Sequence, residues 1–303
     1  MNETYLATAR MLTRIAPFVF TGGTFALKGG TAINLFVRDM PRLSVDLDLV
    51  FPDYNIPRKA ALEQINAALQ TTSESLNRRG FEARPAGKDG EETKLLVRRD
   101  NIPVKVEANY VMRGTLAPVR MASLTPRARE TLQADLEIPV VSLEDMYGGK
   151  LVAAMDRQHP RDLFDVLQLF EHEGITPEIR RAFVVYLSCH NRPVHEVLNP
   201  TLRDVTLQFE GDFQGMTAEP IALQDLINAR ERMISTLQRS LDNNEREFLL
   251  SLVKNEPQWE LLEIPHVEKL PGIQWKLRNL ERLRAENEKK YAEQYDDLAR
   301  LLK

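Results

Sequence analysis

"GGTAINLFVRDMPRLSVDLDLVF", Gly29 to Phe51, decides the fold. Its last residues, "SVDLDLVF", alternate with the two-residue period of a strand, so Val45, Leu47 and Leu49 point to one face while Asp46 and Asp48 point to the other. Two like charges roughly 7 Å apart repel and lose hydration, which is costly unless a cation lies between them. Divalent magnesium suits such a pair, because it takes carboxylate oxygens and fills its other positions with water and substrate phosphate. A solvent-facing strand face is the plainer alternative. Upstream, Gly29 and Gly30 read as a tight turn feeding a helix N-terminus, which offers backbone N–H groups and a positive dipole end to a phosphate. Thr31 adds a hydroxyl. Arg42 and Ser44 stand just before the strand, where "DMPR" reads as a loop with a charged end.

Working outward, a first helix is expected from Tyr5 to Ile15, ending before Pro17, and another from Pro57 to Leu76, where Ala61, Ile65, Ala68 and Leu69 recur at helical spacing. "FEARPA", "TKLLVRR" and "VKVEANYVM" read as strands joined by the short breaks "GKDGEE" and "DNIP", which favours an antiparallel meander. In the third of them Lys105, Glu107 and Asn109 share a face, so Glu107 becomes a third metal carboxylate if this strand neighbours the first. "LEIPVV" is a further strand. Beyond Ser142 the texture is mostly helical. The class is α+β, with a mixed or antiparallel sheet in a lobe spanning 1–141 and a mostly helical lobe spanning 142–303. The final segment, from Trp275, reads as one long amphipathic helix with a polar gap at Arg284 and Asn287. It is laid on the protein's own body or presented to a partner.

The 303 residues are 43% hydrophobic, enough for a sizeable core and suggestive of two domains. No apolar run reaches membrane-spanning length and the start has no signal-peptide organisation, so a cytoplasmic protein without a membrane partner is expected. One cysteine, Cys189, rules out an internal disulfide, and the five histidines show no zinc-ligand spacing. A net charge of −4 argues against a general nucleic-acid coating protein. The basic clusters "NRRGFEAR", "LVRR" and "RGTLAPVR…TPRAR" are nonetheless where a polyanion would be met, if they are not simply solvated faces.

"VSLEDMYGGKLVAAMDRQHPRDLFDVLQLF" holds a second charged group. Lys150 and Arg157 share a helix face, Gly148 and Gly149 let a ligand or backbone approach, and Pro160 restarts a helix that sets Asp162 and Asp165 one turn apart. Pairing of Arg161 with Asp165 and complementation of the helix dipole form the structural alternative.

The strings "LKGGTAINLF…RLSVDLDLVF", "VKVEANY" and "MYGGKLVAAMDRQHPRDLFDV" together resemble the AbiEii/AbiGii abortive-infection toxins, the nucleotidyltransferase components of type IV toxin–antitoxin systems. The superfamily often has serine after the first glycine, whereas Thr31 follows Gly30 here. The resemblance implies a nucleotidyltransferase-fold catalytic lobe, with an active site completed by Lys150 and Asp162 or Asp165 from the helical lobe. It implies a Mg²⁺ enzyme (Mn²⁺ as the substitute) that transfers a nucleotide from a nucleoside triphosphate to an acceptor hydroxyl. That acceptor is expected to be the 3′ end of tRNA, so that translation is blocked in phage defence until a cognate, AbiEi-like antitoxin intervenes. In that scheme Asp46, Asp48 and Glu107 bind metal, and Gly29, Gly30, Thr31, Arg42 and Ser44 surround the nucleotide. Lys150 and Arg157 offset triphosphate charge, and one of Asp162 and Asp165 acts on the acceptor. The alternatives are a protein or small-molecule acceptor, a metal-dependent phosphohydrolase, and a catalytically idle binding protein.

Overall fold

The computed structural model describes residues 1–86 and 93–303; the expected "GKDGEE" turn lies outside the described residues. The chain divides into two compact units, Met1–Ser142 with Phe213–Ile221, and Leu143–Asp212 with Ala222–Lys303. The return of Phe213–Ile221 to the first unit has no counterpart in the sequence reading. In it, Leu43 N donates to Met216 O at 2.9 Å and Ala218 N to Pro41 O at 2.8 Å, so the segment pins the loop that carries Arg42.

Among the described residues, the first unit is built on a seven-stranded sheet: β1 (Ala26–Lys28), β2 (Asp46–Val50), β3 (Glu82–Ala86), β4 (Thr93–Arg99), β5 (Ile102–Ala108), β6 (Arg120–Ser123) and β7 (Glu137–Val140). Their order is β3-β4-β5-β2-β1-β7-β6. β2 runs parallel to β5 and β1 to β7, while the other neighbours are antiparallel, which makes the sheet mixed. The expected meander is β3-β4-β5; Asp100 and Asn101, both at positive φ, turn β4 into β5 as a two-residue hairpin loop requires. β5 ends at Ala108, earlier than expected, because Asn109 Oδ1 accepts from the backbone N–H groups of Val111 and Met112 and turns the chain. Leu47, Leu49, Leu95, Val97, Val104 and Val106 are buried on the inner side.

The helices α1 (Glu3–Phe20), α2 (Gly29–Ala32, running into a π-turn over Ile33–Val37), α3 (Arg58–Asn77) and α4 (Pro126–Leu132) complete this unit. α1 continues through Pro17, where the sequence suggested a stop. Ala16, Val19 and Phe20 keep its inward stripe buried, and that burial outweighs one lost backbone hydrogen bond.

The second unit is helical: α5 (Leu143–Arg157), α6 (Pro160–Glu171), α7 (Pro177–Ser188), α8 (Val194–Leu198), α9 (Thr206–Gln208), α10 (Leu223–Ser240), α11 (Asn243–Val253), α12 (Pro271–Glu286) and α13 (Glu288–Leu301). α5 and α7 pack so closely that a Cβ on Gly148 would lie 2.8 Å from the Ala182 backbone. The approach that the glycines permit at Gly148 is therefore made by a neighbouring helix. The expected single C-terminal helix is two, because Asn287 leaves helical geometry at φ −154° and its side chain caps α13 by accepting from Lys290 N at 3.0 Å.

Candidate functional site

Strand register places the acids of the first unit. Across the sheet, Asp48 is paired with Lys28 of β1 on one side and with Glu107 of β5 on the other, while Asp46 is paired with Lys105. Paired residues of neighbouring strands project to the same face, so Asp46, Asp48 and Glu107 share one side of the sheet. Asp46 and Asp48 are half-buried, whereas Leu47 between them is fully buried.

The turn before them is fitted against Asp48. Gly29 has φ +71°, and a Cβ there would sit 2.5 Å from Asp48 Oδ2, so both the conformation and the space require glycine. A Cβ on Gly30 would meet the Arg42 guanidinium at 2.7 Å. Arg42 is buried and donates to Leu43 O at 2.9 Å. Thr31 is 1% exposed; its hydroxyl bonds to the Asp46 carbonyl and lies 2.8 Å from Ser44 Oγ. Thr31 and Ser44 thus latch the helix start onto β2, which fixes the backbone of Gly29 and Gly30 beside the two aspartates.

Glu107 is brought into the row but is already engaged. Its Oε1 lies 2.8 Å from Lys94 Nζ and 3.1 Å from Lys105 Nζ. Burial pushes its carboxyl up, but the two lysines together outweigh that and hold it below the usual carboxylate range. Among the described residues no three His, Cys, Asp or Glu side chains are gathered as a metal-holding group. The donors that fit a divalent cation are Asp46 and Asp48: two adjacent, accessible carboxylates with a glycine backbone pressed against one of them. Lys94 went unnoticed in the sequence reading, although Lys94, Leu96 and Arg98 alternate in "TKLLVRR" and only the pairing partner was missing.

In the second unit, Lys150 Nζ lies 2.8 Å from Asp162 Oδ1 and 2.9 Å from Asp165 Oδ2. The Arg157 guanidinium reaches Asp162 Oδ2 at 2.9 Å. Lys150 is 8% exposed, Asp162 3% and Asp165 fully buried, whereas the Arg157 side chain is 61% exposed. α6 starts on His159, whose Nδ1 accepts from Arg161 N at 3.2 Å, followed by Pro160 in the first turn. Burial and the charge of Arg161 hold the His159 imidazole below its ordinary value, and nearby Asp162 and Asp212 offset this only in part. The other half of the α5 motif is packing: Tyr186 lies 3.8 Å from the Cβ position of Gly149 and donates its hydroxyl to Asp145 at 2.8 Å. Cys189 is buried and its thiol is pushed up to about 12, so it offers no thiolate nucleophile.

Among the described residues no helix is long and apolar enough to cross a membrane. No curated protein matches the chain in sequence. Among solved structures it is similar to MenT4, a nucleotidyltransferase toxin from Mycobacterium tuberculosis H37Rv. The TM-score is 0.60 at 19% identity, covering 91% of this chain and 94% of that one, a likeness of fold. The family model described as "Nucleotidyl transferase AbiEii toxin, Type IV TA system" matches residues 10–279. With the Gly-Gly turn locked against an Asp-x-Asp strand and nine-tenths of the chain spanned by that match, the protein belongs to the AbiEii family of nucleotidyltransferase toxins of type IV toxin–antitoxin systems.

Proposed function

We propose that this nucleotidyltransferase moves a nucleoside monophosphate from a nucleoside triphosphate to the 3′ hydroxyl of tRNA, that Mg²⁺ supports the transfer, and that the outcome is blocked translation in a phage-infected cell. Mn²⁺ is the substitute cation, an AbiEi-like antitoxin the cognate inhibitor, and the cytoplasm the site of action. The observation that carries the reading is the placement of Asp46 and Asp48 on one face of β2, with the Gly29 backbone against the Asp48 carboxylate.

Asp46 and Asp48 would hold the cation, with Glu107 as a further ligand once its lysines turn away; bound there, the cation offsets charge on the triphosphate. Gly29 and Gly30 present backbone N–H groups to phosphate, and Thr31, Ser44 and Arg42 hold that turn in place. The acceptor oxygen forms a bond to the α-phosphorus, the bond from that phosphorus to the oxygen leading to the β-phosphate breaks, and pyrophosphate leaves. The acceptor proton is lost to a carboxylate or to water. Positioning and charge stabilisation supply most of the rate in such transfers. Arg157, the exposed member of its cluster, would meet the triphosphate. Lys150 would contribute its charge, and Asp165, fully buried, would orient Lys150. Asp162, held by Lys150 at one oxygen and by Arg157 at the other, would act on the acceptor once Arg157 turns to the triphosphate.

Incubating the purified protein with each labelled triphosphate and total RNA tests this. Label at tRNA 3′ ends, lost with Asp48→Ala, is expected. Label entering protein but never RNA would end the tRNA reading, and equal growth arrest by wild type and Asp48→Ala would favour a binding role.

A further inference from the structure

Three strands on one side of β2 present a second, uncharted surface. Their inner face is buried through Ala83, Leu95, Val97, Val104 and Val106. Their outer face continues the face that bears Asp46 and Asp48, and register gives its layout. One row runs Asp46, Lys105, Leu96, Arg84; the next runs Asp48, Glu107, Lys94, Ala86; a third pairs Arg98 with Glu82 and Pro103. Among the described residues of the three strands, four cations, Arg84, Lys94, Arg98 and Lys105, therefore stand against two anions, Glu82 and Glu107, in a chain whose net charge is −4. With strands about 4.8 Å apart, Arg84 lies about 14 Å along its row from Asp46.

Arg84 and Arg98 are exposed. They differ from their sequence neighbours: Arg79 is stacked over Phe18 at 4.6 Å and Arg99 over Phe81 at 4.9 Å. Among the described residues of the three strands, this outer face carries no aromatic side chain on which a base could stack. Cations without stacking platforms bind backbone phosphate and fix register, without reading sequence.

We propose that the outer face of β3-β4-β5 is a phosphate track for the RNA acceptor, with Arg84 and Arg98 gripping the strand whose 3′ end reaches Asp46 and Asp48. This rests on the RNA-acceptor reading above. Because contacts to phosphate dominate, binding along the track is strongly salt-dependent and indifferent to base sequence. Choice among RNAs is then made elsewhere on the protein.

The test is a salt titration of binding by the full chain, using fluorescence anisotropy with bulk tRNA as the probe. Arg84→Gln/Arg98→Gln is compared with wild type and with Arg14→Gln, an exposed arginine of α1. The double variant is expected to bind at least about tenfold more weakly at moderate salt, and its slope of log affinity against log salt to fall by about one per arginine removed. Nucleotide affinity should be unchanged, and Arg84→Lys/Arg98→Lys, which keeps the charge, should restore most of the binding. A folded double variant with wild-type affinity and slope would overturn the track while leaving the transferase reading intact, provided the wild type still labels RNA. A wild type that neither binds nor labels RNA would remove the acceptor reading and the track with it. An equal loss in Arg14→Gln would show a diffuse charge effect and also refute the track.

Discussion

Two ion-pair clusters in this chain mirror one another in composition. In the first unit one carboxylate, Glu107, is shared by two lysines; in the second one lysine, Lys150, is shared by two carboxylates. They differ in solvent. The side chains of Lys94, Lys105 and Glu107 are 39%, 38% and 20% exposed, whereas the side chains of Lys150, Asp162 and Asp165 are 7%, 4% and 0% exposed. Water screens the first cluster, so its pairs exchange at small cost. Burial of Lys150, Asp162 and Asp165 weakens that screening in the second, where removing one partner strands a charge. The exposed cluster is thus suited to trading partners when a cation or a polyanion arrives, and the buried one to holding α5 and α6 in one arrangement.

The largest expected effect separates chemistry from stability within the first unit. Asp48→Asn should lower nucleotidyl transfer by about 10²–10³-fold, the scale of removing a group that stabilises transition-state charge. The unfolding midpoint in urea should hold or rise, because a like-charge pair is relieved. Transfer rates from labelled triphosphate, read beside the unfolding curve, check both halves. A variant that loses activity only by unfolding would break the assignment.

Lys150→Met should instead cost stability together with transfer. It leaves Asp162 and Asp165 buried without their shared cation, and a cost of about 3–5 kcal/mol is expected in urea unfolding. The triple replacement Lys150→Met/Asp162→Asn/Asp165→Leu should recover much of that stability while leaving transfer impaired. A Lys150→Met protein as stable as wild type would show that the buried cluster is dispensable to the fold.

A pH scan sharpens the same contrast through the second unit. Burial holds His159 and His190 below the ordinary value of 6.5, and nearby carboxylates offset this only in part. Between the folded and unfolded values the unfolded chain binds more protons, so stability falls as pH drops through about 6.5 and levels off below the folded values. Replacing both by Asn, which keeps the cap on α6, should flatten that limb of the curve.

How much of this was legible in the sequence follows from the range of each signal. The Asp-x-Asp strand and the helix of Lys150 are read from local periods of two and 3.6, which burial enforces. β1 is three residues long and sits between glycines, too short to show a period. β6 exposes Arg120, Met121 and Ser123, so it never alternates. The pairing of Phe213–Ile221 with the Arg42 loop joins residues far apart in the chain, which no window can detect. In the site, the two aspartates and the Gly-Gly turn could be named in advance, but not the occupation of Glu107 by lysines, because that is a matter of register between strands.

The smallest effect concerns those lysines and decides whether the exposed cluster is a latch or a poised exchange. Glu107 titrates below its ordinary 4.5 because Lys94 and Lys105 outweigh the burial that pushes it up. Its pairing therefore stabilises the fold above about pH 4.5, and that contribution is lost as pH falls through the lower folded value. Lys94→Ala/Lys105→Ala should cost less than about 1 kcal/mol at neutral pH, as exposed pairs do. The Glu107 carboxyl should meanwhile move up, since burial then acts alone, and a carboxylate-detected NMR titration reads that change. The double variant also frees Glu107 as a ligand, so the Mg²⁺ concentration needed for half-maximal transfer should fall. A rise would mean that the lysines assist cation binding rather than compete with it, and the exposed cluster would then be held to one arrangement just like the buried one.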